Sequence, residues 1–210
     1  MKKVCSMIIA VLFLFTAVPA SAESADTETI TGTVTDDVYE NRLFGIGCKL
    51  EGWHYLSEEE IALYGQFTKE ILNSDEVEKL LDDPLIVVVM AALSPTGDAN
   101  VNINIQKLHP VQASGILFQG LYKYLNDQLS DSLTEYQALG VEKITGEVVT
   151  VSIGDKKYPA LRYQYQWMGY ALNLLQIADV KDSYMMYLSI TGKTSDQIDE
   201  ALSHFYRLPE

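Results

Sequence analysis

A chain of 210 residues, 48% hydrophobic and 21% charged with six prolines, has the make-up of an ordinary globular protein and excludes collagen, a disulfide scaffold and wholesale disorder. Its formal charge of −14 excludes nucleic acid as a partner, because that affinity comes mainly from Lys and Arg neutralising phosphates. The only long apolar run sits at the N-terminus, which excludes a polytopic membrane protein.

That run reads as an export signal. Lys2 and Lys3 form a basic start and Val4 to Val18 are almost wholly apolar. Ala20-Ser21-Ala22 then supplies a small-x-small cleavage pattern just after Pro19. The apolar stretch is shorter than the ~20 residues of a spanning helix. Cys5 lies on the wrong side of it to serve a lipoprotein. Residues 1–22 are therefore expected to be removed, leaving a secreted (extracellular or periplasmic) chain from Glu23 with no stable membrane insertion. Cleavage removes two lysines and no acid, so the charge becomes −16. Cys48 is then the sole thiol, and no internal disulfide can form.

Residues 23–36 read as a flexible acidic lead-in and the start of a first strand, and 37–210 as one domain. In 44–51, Phe44, Ile46, Cys48 and Leu50 alternate with Gly45, Gly47, Lys49 and Glu51, which points Cys48 inward. Ser57-Glu58-Glu59-Glu60 is a capping box, with acids suited to a helix N-terminus. Ile61, Tyr64, Phe67 and Ile71 follow at helical spacing to about Leu72. Leu85 to Leu93 is a continuous apolar, valine-rich run, expected as a central strand covered on both faces. The turn residues 94–98 follow. Val101, Ile103 and Ile105 then alternate with Asn102, Asn104 and Gln106, the pattern of a half-exposed strand. A second helix is expected from Ser114 to about Leu129, with Leu117, Leu121, Tyr124 and Gln128 along it.

Four strand signals close the chain: 143–153, 157–167, 170–180 and 183–191. Gly154-Asp155, Met168-Gly169 and Lys181-Asp182 separate them as hairpin turns. With Met168-Gly169 as a two-residue turn, Trp167 faces Tyr170, Tyr165 faces Leu172 and Tyr163 faces Leu174. Leu175, Ile177, Met186, Leu188 and Ile190 make the opposite face apolar as well. A last helix from Thr194 or Ser195 carries Ile198, Leu202 and Phe205 on one stripe. A sheet apolar on both sides must be covered on both sides. The fold class is α+β: an antiparallel sheet flanked by helices on both faces, an α/β/α sandwich.

Tyr39-x-Asn41-x-x-Phe44-Gly45-Ile46, then Gly52-Trp53, then the Ser57-Glu58-Glu59-Glu60 helix, resembles the start of PsbP-like domains. These share a fold with the photosystem II extrinsic protein and a Ran-binding import factor, and the resemblance runs from about 37 to 208 as element order. Where that family often has Pro before the Gly-Trp pair, this chain has Leu50-Glu51. The resemblance implies a module that binds or assists assembly.

Motifs for chemistry are sparse. There is no G-x-S-x-G, H-E-x-x-H, C-x-x-C or calcium-loop pattern. Gly192-Lys193-Thr194 resembles the tail of a phosphate loop, but the upstream glycine falls at Tyr187, so it reads as a helix-entry turn. Cys48 could pair with His54, His109 or His204 as nucleophile and base; a buried strand thiol with no basic neighbours is the simpler reading. The histidines share no helix face, so no metal site is expected. Asp75, Glu78, Asp82, Asp83, Asp127, Asp131 and Glu135 read as a solvated acidic face rather than a calcium site. Anionic lipid surfaces and polymers are expected to be repelled.

Tyrosine, at 13 residues, is in excess. Tyr163 and Tyr165 are expected in the core with hydroxyls reaching water at a sheet edge. Trp167 and Tyr170, closing a hairpin at the sheet's tip, are the candidate ligand-binding pair, an exposed aromatic surface able to stack a sugar or anchor a protein. The leading expectation is a secreted, non-enzymatic binding or assembly module without a cofactor, whose partner is an envelope or extracellular protein or glycan. Two alternatives are a hydrolase of cell-surface polymers using paired carboxylates and a small-ligand carrier with an apolar cavity.

Overall fold

A computed structural model describes residues 30–64 and 86–209. The export signal, the acidic residues 23–28, the later part of the first helix (Phe67 to Leu72) and Asp75, Glu78, Asp82 and Asp83 lie outside the described residues. The strands are β1 (Thr33–Thr35), β2 (Val38–Asn41), β3 (Ile46–Lys49), β4 (His54–Tyr55), β5 (Ile86–Leu93), β6 (Ala99–Lys107), β7 (Glu142–Ile153), β8 (Lys156–Trp167), β9 (Tyr170–Lys181), β10 (Tyr184–Gly192) and β11 (Phe205–Arg207). The helices are α1 (Pro110–Gln119), α2 (Leu121–Ala138) and α3 (Ser195–Ser203), with a further helical stretch at 58–64. Instead of one antiparallel sheet, the described residues form two. One has the order β1-β2-β3-β11, the other β4-β5-β6-β10-β9-β8-β7.

The hairpins follow the sequence reading closely. Trp167 pairs with Tyr170, Tyr165 with Leu172 and Tyr163 with Leu174. Met168 and Gly169 both take positive φ, the conformation whose twist matches antiparallel neighbours. Gly154-Asp155 joins β7 to β8. The next turn is one residue later than expected, at Asp182-Ser183, because Lys181 pairs directly with Tyr184.

Side chains of opposite pleat face join different cores. Val101, Ile103, Ile105, Leu175, Ile177, Met186, Leu188 and Ile190 pack with Tyr39, Phe44, Ile46, Cys48 and Leu50 of the small sheet and with Ile198 and Ala201 of α3. Leu161, Tyr163, Tyr165, Trp167, Leu172, Leu174 and Ala178 pack instead with Leu125 of α2. Leu108, Ala113, Ile116 and Met185 form a third, smaller core beneath α1.

The Tyr39-x-Asn41-x-x-Phe44 motif has a local physical role. Asn41, fully buried, donates through Nδ2 to the Ile30 carbonyl at 2.7 Å and to the Tyr39 hydroxyl at 3.1 Å. Its Oδ1 accepts from the Phe44 amide at 3.1 Å, and the Tyr39 hydroxyl donates to the Thr31 carbonyl at 2.9 Å. One amide thus fastens the chain entering β1 to the turn that leaves β2. Gly47 is required by close approach: a Cβ there would lie 2.6 Å from Cζ of Tyr206 on β11.

Three further expectations change. The helix expected from Ser114 is two helices broken at Gly120, whose φ of 87° and ψ of 137° suit glycine alone. The first begins earlier, at Pro110, with His109 as N-cap accepting from the Val111 amide. Phe205 belongs to β11, not to the last helix, which ends at Ser203. Finally, β6 is not half-exposed: Asn100, Asn102 and Asn104 are as buried as its apolar residues. The apolar run at 86–93 forms β5, which lies one strand from the sheet edge, with the two-residue β4 outside it.

Candidate functional site

The hairpin pair is divided by burial. Trp167 is only 3% exposed and packs in the α2 core, whereas Tyr170 is 43% exposed. The exposed aromatic pair expected at the tip is therefore corrected to Tyr170 beside Met168, which is also exposed. Odd-numbered residues of β8 face α2, and Trp167 continues the row of Tyr163 and Tyr165. Those two tyrosines are buried as expected, but the Tyr165 hydroxyl does not reach water. Burial pushes the Tyr163 hydroxyl up to about 12, against a Ser132 hydrogen bond that lowers it.

Other residues singled out in the sequence have structural roles. Cys48 is fully buried, its Sγ 3.9 Å from the Tyr55 hydroxyl, and desolvation pushes the thiol up to about 12. Thr194 caps α3 in a reciprocal box with Gln197, which makes Gly192-Lys193-Thr194 a helix entry. His54 meets Glu60 at 2.8 Å on the surface. The Ser57 amide donates to Glu60 at 2.9 Å and the Glu60 amide to Ser57 Oγ at 3.2 Å, so the first capping box forms as read. Among the described residues no three His, Cys, Asp or Glu side chains converge as metal ligands, and no helix is long and apolar enough to cross a membrane.

Two features escaped the sequence reading. The first is the outer side of α1. Ala113 and Ile116 face inward, leaving Val111 75% and Phe118 95% exposed, with Leu117 exposed beside them. Val111, Gly115 and Phe118 share one stripe at i, i+4 and i+7, and nothing lies within 4 Å of a Cβ built on Gly115. The helix has no charged residue. Ala99 to Asn126 contains no Asp or Glu, in a chain with 29 acids. That acid-free stretch was the signal available in the sequence. Exposed apolar surface of this kind marks interaction sites more often than chance placement does.

The second is a polar stripe on the large sheet. Asn104, Asn102 and Asn100 of β6 pair with Tyr187, Ser189 and Thr191 of β10. These in turn pair with Ala178, Gln176 and Leu174 of β9. Asn104 Nδ2 donates to Asn102 Oδ1 at 3.1 Å, and Gln176 Nε2 to Ser189 Oγ at 3.4 Å. Asn104 Oδ1 and Thr191 Oγ1 are buried without a hydrogen-bond partner, each at a cost of about 1–3 kcal/mol. Such groups in a native structure call for an explanation.

No family model matches the chain, and no curated protein does. Solved structures do match. A Bacteroides thetaiotaomicron protein is 11% identical with a TM-score of 0.40 over 83% of this chain, which spans about half (49%) of that protein's length. LpqN, involved in cell envelope biogenesis of Mycobacterium tuberculosis, is 9% identical with a TM-score of 0.41, over 78% of this chain and 83% of that one. Cyanobacterial PsbP from Synechocystis is 10% identical with a TM-score of 0.40, over 90% of this chain and 99% of that one. A PsbP, the kind of domain that the motifs from Tyr39 to Glu60 resemble, is thus among the solved structures to which this chain is similar.

Proposed function

We propose that the protein is an exported, non-enzymatic binding or assembly module that engages an envelope protein through α1. The observation that carries this reading is the uncharged outer side of α1, with Phe118 95% and Val111 75% exposed. A surface helix normally turns charged residues to water; this one offers Val111, Leu117 and Phe118 as anchors for an apolar groove. The acid-free stretch around it is where a chain of charge −14 repels a partner least. Tyr170 and Met168 at the hairpin tip are a second candidate contact, with Trp167 beneath holding the hairpin.

The test is photo-crosslinking in the producing cells, with the reactive residue at position 118 and, as control, at Thr150 on exposed β7 surface. One discrete protein adduct is expected from 118 alone, lost in Val111→Asp with an unchanged melting temperature. Adducts equal at both positions, or none at 118, would overturn the reading. The intact mass of the exported chain, expected to begin at Glu23, checks the location.

A further inference from the structure

The outer side of α1 carries both halves of a packing contact. Val111, Ser114, Gly115 and Phe118, at i, i+3, i+4 and i+7, mark the corners of one diamond on the helix surface, and all four are exposed. Ala113 and Ile116 turn the opposite side inward. In helix packing such a diamond is the hole that receives one side chain of a facing helix. This hole is deep, because its two middle corners are Ser114 and Gly115, and nothing lies within 4 Å of a Cβ built on Gly115. Phe118, 95% exposed, is a knob of the size that such a hole takes. A partner with a groove of its own would need only the knob. A helix that carries knob and hole together is complementary to itself.

We propose that the protein engaged by α1 is a second copy of this chain, the two α1 helices packing antiparallel about a two-fold axis with Phe118 of each over Ser114 and Gly115 of the other. This rests on α1 being the contact surface and names its occupant. At 1.5 Å per residue, the register that seats both knobs leaves the two Phe118 about 5 Å apart along the helix axis, within reach of an offset ring contact. The two-fold closes the contact at two copies, since each knob fills the other's hole. Charge favours this place over any other. The helix α1 has no charged residue and Ala99 to Asn126 has no acid, whereas elsewhere chains of net charge −14 repel each other. Covering Val111, Leu117 and Phe118 falls short of the ~800 Å² that each partner gives to a standard stable complex, so the dimer exchanges at micromolar concentration rather than being permanent.

The test is sedimentation of the purified exported chain alone, from roughly 1 μM to 1 mM, at low and high salt. A reversible monomer–dimer equilibrium with a micromolar midpoint is expected, tighter in high salt, which screens the repulsion between two acidic chains. Gly115→Leu fills the hole and Phe118→Ala removes the knob, and each should weaken the dimer at least tenfold. Both positions face solvent and leucine is the better helix former, so the melting temperature of dilute Gly115→Leu protein stays level or rises. A chain that stays monomeric throughout, assembles beyond a dimer, dissociates in high salt, or dimerises undiminished in Gly115→Leu (the result of a merely sticky helix) would overturn the proposal. In that case a photo-adduct at 118 with a different protein would leave the α1 reading standing, and an absent adduct would remove both.

Discussion

Asn41 links two stretches of backbone, at Ile30 and Phe44, and the Tyr39 hydroxyl with one side chain. An alanine there strands the part-buried Ile30 carbonyl and the buried Phe44 amide, at a cost of about 2–4 kcal/mol. Asn41→Ala should lower the midpoint of urea unfolding with an unchanged slope. Cys48 lies in the same neighbourhood and behaves in the opposite chemical sense, as an inert group. With the thiol fully buried and its pKa pushed up to about 12, the thiolate is scarce at neutral pH. An aqueous maleimide should label Cys48 in denaturant and not in native buffer. Rapid native labelling would mean that β3 pairs in a different register.

At the scale of elements, Gly120 separates a helix that exposes apolar side chains from one that buries them. Its φ of 87° with ψ of 137° is a conformation that costs a residue with a Cβ about 1–3 kcal/mol. No atom lies within 4 Å of where that Cβ would be, so backbone strain is the whole effect. Gly120→Ala should lower the melting temperature by roughly 3–10 °C, measured by circular dichroism. The β5–β6 turn is tied to α3 by the Gln197 amide, which donates to Asp98 Oδ2 at 2.8 Å. Thr96's hydroxyl above all, with Gln197 and Ser94, holds the Asp98 carboxyl below its ordinary range. A carboxyl lowered by folding adds stability at neutral pH that is lost as the pH falls through that range. Asp98→Asn should therefore flatten the fall in stability below about pH 4 and leave its slope at pH 7 unchanged.

At the scale of the molecule, the small sheet and α3 share one buried core with the large sheet, and α2 shares another with it. Both cores draw on β8 and β9, so they are expected to melt together. The two tryptophans report on them separately: Trp53 packs against the first core and Trp167 lies in the second. Single-tryptophan variants, Trp53→Phe and Trp167→Phe, should give fluorescence transitions that coincide with the loss of secondary structure in the same sample. Separated midpoints would mean two independent units.

The sequence by itself determined what depends on neighbours along the chain. Alternation pointed Cys48 inward, Met168-Gly169 set the β8–β9 register, and the Ser57 and Thr194 boxes marked helix starts. These are local because a turn conformation or a cap is decided within a few residues. Tertiary structure alone decided which of two alternating faces is covered. The amides of β6 have the alternation of a half-exposed strand, yet they are buried. Trp167 sits at a hairpin end, yet α2 and its strand neighbours enclose it. The apolar stripe of α1 has the composition of a buried helix face, yet Phe118 is open to solvent. Periodicity separates the faces of an element; burial is set by segments far away in the chain, and no local pattern records their arrival.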